Sequence, residues 1–84
     1  MKPIRLSGHA RQQLPYRGAT EDEIGEAIRT AEWAPAELSR LECRKDFAFG
    51  AEWHGKVYAI KQVRPIFVEE QDEIVVVTVY AYFF

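Results

Sequence analysis

The chain has 84 residues, of which 48% are hydrophobic and 13% aromatic, and this is enough for one domain, residues 1–84, with one compact core. Its single cysteine excludes an internal disulfide, and one cysteine with two histidines at no recognised ligand spacing predicts neither a metal site nor a bound cofactor. A net charge of −2 argues against strong non-specific binding to nucleic acid, and the lack of a long apolar run predicts a cytoplasmic protein with no signal peptide and no membrane contact.

The first 18 residues predict a short strand followed by a short helix. Residues 3–6 are a candidate leading strand, and Ser7 is a good N-cap for a helix that runs to about Leu14. Pro15 and Gly18 are expected to end this helix, because proline removes a backbone donor and glycine tolerates a left-handed conformation.

The next segment predicts a second, amphipathic helix over residues 20–33. Thr20 and Glu23 have the spacing of a capping box, and Pro35 is expected to stop the helix. Its apolar residues recur at i, i+3, i+4 and i+7, and they are Ile24, Ala27, Ile28 and Ala31.

From Leu41 onward the apolar residues alternate with a period of two, which predicts strands. The His-Gly pair at 54–55 indicates a tight hairpin turn, and residues 57–68 predict a long strand in which Pro65 implies a bulge, a bend or an exposed edge. Residues 74–82 predict a final strand. The expected fold class is α+β, with two N-terminal helices packed on one face of a three- to four-stranded antiparallel sheet in the order (β)ααβββ.

The final strand is apolar on both predicted faces. One face carries Val75, Val77, Val79 and Phe83, and the other carries Ile74, Val76, Tyr80, Tyr82 and Phe84. Because two helices cover only one face of a small sheet, we expect a homodimer or a partner chain to cover this C-terminal strand region. The alternative is a curled sheet that protects the same residues through Tyr58, Ile60 and Ile66.

Several short motifs resemble a small bacterial family, domain of unknown function 4258. The matching segments are His9-Ala10, Arg17-Gly18, the acidic helix start at residues 20–23 and the closing strand at residues 76–80. The family pattern runs roughly H-A-x-x-R-x-x-x-R-G, and Gln13 stands at the position of its middle arginine. The family is similar to the RelE/ParE-like toxin fold group, which includes metal-independent ribonucleases of toxin–antitoxin systems. The resemblance implies a RelE-like fold and, as partners, RNA or an antitoxin-like protein.

The first helix holds two candidate catalytic residues, His9 and Arg17. His9 would lie at the second helical position, where a neutral imidazole is able to accept a proton from a ribose 2′-hydroxyl while the helix N-terminus holds the phosphate. The alternative is a structural histidine that bonds across to the sheet. Arg17 would clamp a phosphate, or else pair with Glu21, with Asp22 or with a helix-terminal carbonyl.

The strands add two further candidates, Lys61 and Arg64. RelE-like nucleases use basic strand residues to stabilise the phosphate, so the resemblance implies this role for both, whereas charges on an open sheet face are also expected without any site. The candidate RNA-binding residues are Arg5, Arg11, Lys45 and Tyr80, of which Tyr80 either stacks on a base or packs.

Charge alternates in four blocks along the chain, with basic blocks at residues 1–18 and 40–64. If these two blocks meet in space they form a local cationic patch; otherwise the surface is mixed in sign. Two functions remain open. The first is a toxin-like RNA-cleaving or RNA-binding domain, in which His9, Arg17 and either Lys61 or Arg64 converge in a shallow concavity. The second is a non-enzymatic interaction domain that forms a homodimer or binds an operon partner.

Overall fold

Two helices and one mixed six-stranded sheet make up the computed structural model, which describes residues 1–84. The helices are α1 (Gly8–Arg17) and α2 (Glu21–Thr30), and a 3-10 turn covers Glu37–Ser39. The strands are β1 (Ile4–Leu6), β2 (Ala34–Ala36), β3 (Arg40–Glu42), β4 (Lys45–Trp53), β5 (Lys56–Glu69) and β6 (Ile74–Phe83). The sheet order is β1-β6-β5-β3-β2, and β4 pairs with β5 beyond the end of β3. The α+β class is therefore confirmed, with six strands in place of the predicted three to four.

Helix α1 begins where the sequence predicts and ends three residues later, at Arg17 instead of Leu14. Ser7 Oγ accepts a hydrogen bond from a backbone N–H of the first turn at 3.1 Å, as expected of an N-cap. Pro15 lies inside the last turn. It leaves the carbonyl of residue 11 without a helical donor, and the helix tolerates this loss because residue 11 is exposed. Gly18 ends the helix in a left-handed conformation with φ at +71°, and its N–H donates to the Leu14 carbonyl at 2.9 Å.

Helix α2 has the predicted start and a shorter end. Both hydrogen bonds of the capping box between Thr20 and Glu23 are present, at 3.0 and 3.2 Å. The helix ends at Thr30, before the predicted residue 33, and the Nε1–H of Trp33 donates to the Ile28 carbonyl in its last turn at 2.8 Å. Neither ten-residue helix is long or apolar enough to cross a membrane.

Strands β3 and β4 form one line of pairing against β5. The register is the same on both sides of the gap between them, since Glu42 faces Ile66 and Lys45 faces Val63. This register places Cys43 opposite Pro65, whose ring nitrogen has no hydrogen to donate to the ladder. The predicted irregularity at Pro65 is therefore an interruption of the neighbouring strand. Pro65 itself is fully buried and does not lie at an exposed edge.

Strand β6 contains an extra residue that the predicted alternation did not include. Ile66 faces Thr78 and Phe67 faces Val76, so that Val77 has no partner on β5. The predicted faces are wrong for this reason: Ile74 and Val76 join Val79 in the core, on the face that we call the inner face. Tyr80 and Tyr82 lie on the opposite, outer face, beside Arg64 and Gln62 of β5. The sheet is also not wholly antiparallel, because β1 pairs with β6 in parallel.

Candidate functional site

Helix α1 covers the free edge of β6 beyond the end of β1. Gln13 Oε1 accepts hydrogen bonds from the Val79 N–H at 2.8 Å and from the Thr78 hydroxyl at 2.9 Å. Arg17 Nε donates to the Val79 carbonyl at 3.2 Å. Since Gln13 and Arg17 lie one helical turn apart, they satisfy both backbone groups of one edge residue, and α1 takes the place of a strand there. These bonds fix both side chains.

Two guanidinium groups meet at the ring of Tyr80. Arg17 Cζ lies 5.2 Å and Arg64 Cζ 5.4 Å from the ring centroid, both within cation–π range. Arg64 reaches the ring because it faces Tyr80 in the β5–β6 register. The structure thus brings together three residues that the sequence singled out separately.

Arg64 is already neutralised by Glu42. Its Nη2 and Nε donate to the two carboxylate oxygens at 2.7 and 3.2 Å, and its Nη1 donates to the Tyr82 hydroxyl at 3.4 Å. The hydrogen bonds from Arg64 hold the pKa of Glu42 below its ordinary value, and the same bonds raise the pKa of Arg64. Arg64 is therefore less available to an external anion than the sequence suggests.

Arg17 differs from Arg64 because it has no carboxylate within ion-pair distance. The predicted pairing with Glu21 or Asp22 does not occur, and its contacts are the Val79 carbonyl and the Tyr80 ring. One of the five N–H donors of its guanidinium is used, which leaves four for a ligand. Arg17 is thus a cation held in place by the fold and free to bind an anion.

His9 and Arg17 line one shallow cavity of about 350 Å³ on the surface of α1. Its five lining residues recur at i, i+3, i+4, i+7 and i+8, and they are His9, Gln12, Gln13, Tyr16 and Arg17. His9 is exposed and makes no hydrogen bond within the chain, so the predicted structural bond from His9 to the sheet is not found. His9 and Arg17 are eight residues apart, which is about 12 Å along the helix axis.

Lys61 lies on the inner face, away from this cavity. It is 7% exposed, and its Nζ contacts Glu23 Oε2 and the Gly18 carbonyl, each at 2.8 Å. The two basic strand residues thus have different surroundings. Arg64 shares the Tyr80 ring with Arg17 of α1, whereas Lys61 binds the connection between the helices. A catalytic role for any of these residues stays a prediction.

The other candidate RNA-binding bases are paired with acidic residues. Arg5 binds Glu73 at 3.1 Å and holds the pKa of that carboxyl below its ordinary value. Arg11 binds Glu21 at 3.3 Å, and Lys45 lies 3.9 Å from the Glu26 carboxylate, on the inner side of the sheet. One residue of each basic block, Arg17 and Arg64, meets at the ring of Tyr80, whereas these other candidate bases contact acidic residues, so the surface around them is mixed in sign.

A second cavity of about 350 Å³ has no reactive nucleophile in its lining. It lies beside the base of the β2–β3 hairpin and is lined by Glu32, Trp33, Ala34, Glu42, Cys43 and Arg44. Cys43 is 2% exposed, and burial raises the pKa of its thiol to about 11. The thiol is therefore protonated near neutral pH and is a poor nucleophile.

Sequence reasoning missed two residues of the site, Gln13 and Glu42. Gln13 lies four residues before Arg17 on the same helix face, and this spacing is the only local signal of their joint action. Glu42 gives no local signal, because its contact with Arg64 depends on the pairing of β3 with β5. Comparison of the chain with family models, with curated proteins and with solved structures gave no match, so the family resemblance stays a prediction.

Proposed function

We propose that this domain binds single-stranded RNA through the surface formed by His9, Gln13, Tyr16, Arg17 and Tyr80, here called the α1 surface. The observation that carries the proposal is Arg17, a cation that the Val79 carbonyl and the Tyr80 ring fix while four of its donors stay free. Tyr16, which is 81% exposed at the rim of the same cavity, supplies an aromatic face for an unpaired base.

The geometry supports binding better than it supports cleavage. One phosphate has to lie within roughly 3 Å of each group that stabilises it directly. The α-carbons of His9 and Arg17 are about 12 Å apart along α1, a spacing that suits contacts with neighbouring groups of an RNA strand better than with one phosphate. The sequence resemblance to toxin-type ribonucleases nevertheless makes cleavage the natural extension of the proposal.

In that extension His9 accepts the proton of a ribose 2′-hydroxyl, and the 2′-oxygen attacks the adjacent phosphorus. The bond to the 5′-oxygen breaks, the leaving oxygen takes a proton from water, and the products are a 2′,3′-cyclic phosphate and a free 5′-hydroxyl. The step needs no metal ion.

Binding is tested by the fluorescence anisotropy of a labelled single-stranded RNA. We expect Arg17→Ala to weaken binding about tenfold or more, because a charge-assisted hydrogen bond contributes about 1.5–3 kcal/mol. Arg29→Ala is the matched control, since Arg29 is exposed, makes no ion pair and lies on α2. Equal losses in the two variants, or no binding by the wild type, would contradict the proposal.

Cleavage is tested by controlled expression with growth and RNA integrity as readouts. The wild type and His9→Ala are compared in cells, and the purified proteins are compared on RNA with a metal chelator present. Intact RNA with the wild type, or equal cleavage by His9→Ala, would limit the function to binding.

A second candidate, the interaction domain, has an observation of its own. Three apolar side chains near one end of the β5–β6 pair are exposed, with Val57 at 71%, Phe84 at 58% and Tyr82 at 40%. Such residues fit a contact with a second copy or with an antitoxin-like protein. Light scattering decides between the states: a mass near 9.7 kDa excludes the homodimer, and a doubled mass supports it.

A further inference from the structure

The amide group of Gln13 has one possible orientation. The atom that lies 2.8 Å from the Val79 nitrogen must be an oxygen, because the backbone N–H is a donor and needs an acceptor. The Thr78 hydroxyl supplies a second hydrogen bond to the same oxygen at 2.9 Å. Both acceptor positions of Gln13 are thus occupied by β6.

The NH2 group of Gln13 makes no hydrogen bond within the chain, and Gln13 lines the cavity together with Arg17. Toward a ligand, the Gln13 side chain therefore acts only as a hydrogen-bond donor. A glutamine that recognises adenine uses both halves of its amide, since the oxygen accepts from the amino group at position 6 and the nitrogen donates to N7. Gln13 lacks the free oxygen that this pairing needs.

We infer that the cavity discriminates among RNA bases and prefers a purine with a keto oxygen at position 6 to adenine. A keto purine presents two adjacent acceptors, O6 and N7, to the NH2 of Gln13, whereas adenine presents only the N7 acceptor and, beside it, an amino group for which Gln13 has no free acceptor. This inference rests on the proposed RNA binding and adds to it a specificity that Arg17 and the aromatic side chains do not supply, because phosphate contacts and stacking tolerate every base.

The matched ligands for the test are an adenine-only RNA strand and the same strand with inosine at alternate positions. Inosine differs from adenosine by a keto oxygen in place of the amino group at position 6 and by a hydrogen on N1, and both bases keep N7 as an acceptor. We expect the wild type to bind the inosine strand about 3- to 10-fold more tightly, as one or two neutral hydrogen bonds allow.

The matched variant is Gln13→Glu. The glutamate keeps an oxygen for Val79 and Thr78, so the edge of β6 stays covered, and it presents an acceptor where the NH2 stood. Its charge near Arg17 lowers the affinity for both strands, and the readout is therefore the ratio of the two affinities. We expect the ratio to fall to one or to reverse, with Gln71→Glu, an exposed residue of the β5–β6 turn, keeping the wild-type ratio.

The outcomes separate this inference from the proposal beneath it. Failure of the wild type to bind either strand overturns RNA binding and this inference together. Equal binding of the two strands by the wild type overturns the base preference, and an unchanged ratio in Gln13→Glu overturns its assignment to Gln13; both results leave RNA binding in place. Urea unfolding of Gln13→Glu verifies that the variant measured is folded.

Discussion

Lys61 is the buried charge on which the connection between the helices depends. Its ammonium group binds the Glu23 carboxylate and the Gly18 carbonyl, and Glu23 also completes the capping box of α2. We predict that Lys61→Ala lowers the free energy of unfolding by about 2–4 kcal/mol, below the usual range for a buried pair because Glu23 is partly exposed. Urea unfolding measures this loss.

Lys56→Ala is the control for that loss. Lys56 is an exposed lysine on the same strand, and its removal should change the stability by about 0.5 kcal/mol or less. If Lys61→Ala unfolds like the wild type and loses cleavage of RNA, the catalytic role predicted from the sequence is right and the structural one is wrong.

Glu42 predicts a dependence of stability on pH. Hydrogen bonds from Arg64 lower its pKa in the folded state, so its contribution is present above the ordinary carboxyl pKa and is lost as the pH falls through the lowered one. Glu42→Gln should therefore unfold more readily than the wild type near neutral pH, and the difference should vanish in acid. Urea unfolding across this pH range measures it. A difference that persists in acid would contradict the ion pair, and Glu52→Gln, at an exposed position without a partner, should show none.

Sequence reasoning identified several residues of the site, although not Gln13 and Glu42, and it could not show which of them are paired or buried. Gln13 lies four positions after His9, and Arg17 lies four positions after Gln13, so all three are on one helix face, and the sequence shows this spacing. The sequence does not show that Arg64 meets a carboxylate or that Lys61 is buried, because those contacts join residues far apart in the chain. Among the candidate arginines and lysines of the site, Arg17 is identified as the one without a carboxylate partner only once the partners of the others are known.

At the scale of elements, the helices were predictable because their signals are local. Ser7 and the pair Thr20 and Glu23 bond within one turn of themselves, so each helix start follows from a few neighbouring residues. The strands depend on distant partners. The gap in the strand beside Pro65 and the extra residue Val77 arise from pairing across the sheet, which no local pattern encodes.

The turn between α1 and α2 predicts a test of close packing. A β-carbon at Gly18 would lie 2.8 Å from two ring atoms of Trp53, and φ there is +71°. Gly55, with φ at +83°, has no atom within 4 Å of the same position. We predict that Gly18→Ala costs about 2–4 kcal/mol, from backbone strain and overpacking together, and that Gly55→Ala costs about 1–2 kcal/mol from strain alone. Thermal unfolding gives both values, and equal losses would show that the Trp53 contact is soft.

At the scale of the whole molecule, the charge blocks of the sequence neutralise one another in space. Basic residues near the start of the chain meet acids of the β5–β6 turn, and basic residues of the strands meet acids of α2. The pairs are Lys2–Glu69, Arg5–Glu73, Lys45–Glu26 and Lys61–Glu23. The bases without a carboxylate partner are Arg17, Arg29, Arg40 and Lys56. Only Arg17 of these lies on the α1 surface, so an RNA strand bound there meets one or two cationic groups.

This arrangement predicts a weak dependence of RNA binding on salt. The logarithm of the binding constant for a single strand falls with the logarithm of salt concentration with a slope of about −0.7 for each phosphate neutralised, so one or two contacts give about −0.7 to −1.4. Arg17→Ala should bring the slope closer to zero by about 0.7, whereas Arg11→Ala should leave it unchanged, because Arg11 already binds Glu21 at 3.3 Å. Anisotropy titrations at several salt concentrations measure the slopes. A wild-type slope steeper than about −3 would require more than four phosphate contacts, and it would mean that the ion pairs of the free protein open in favour of RNA.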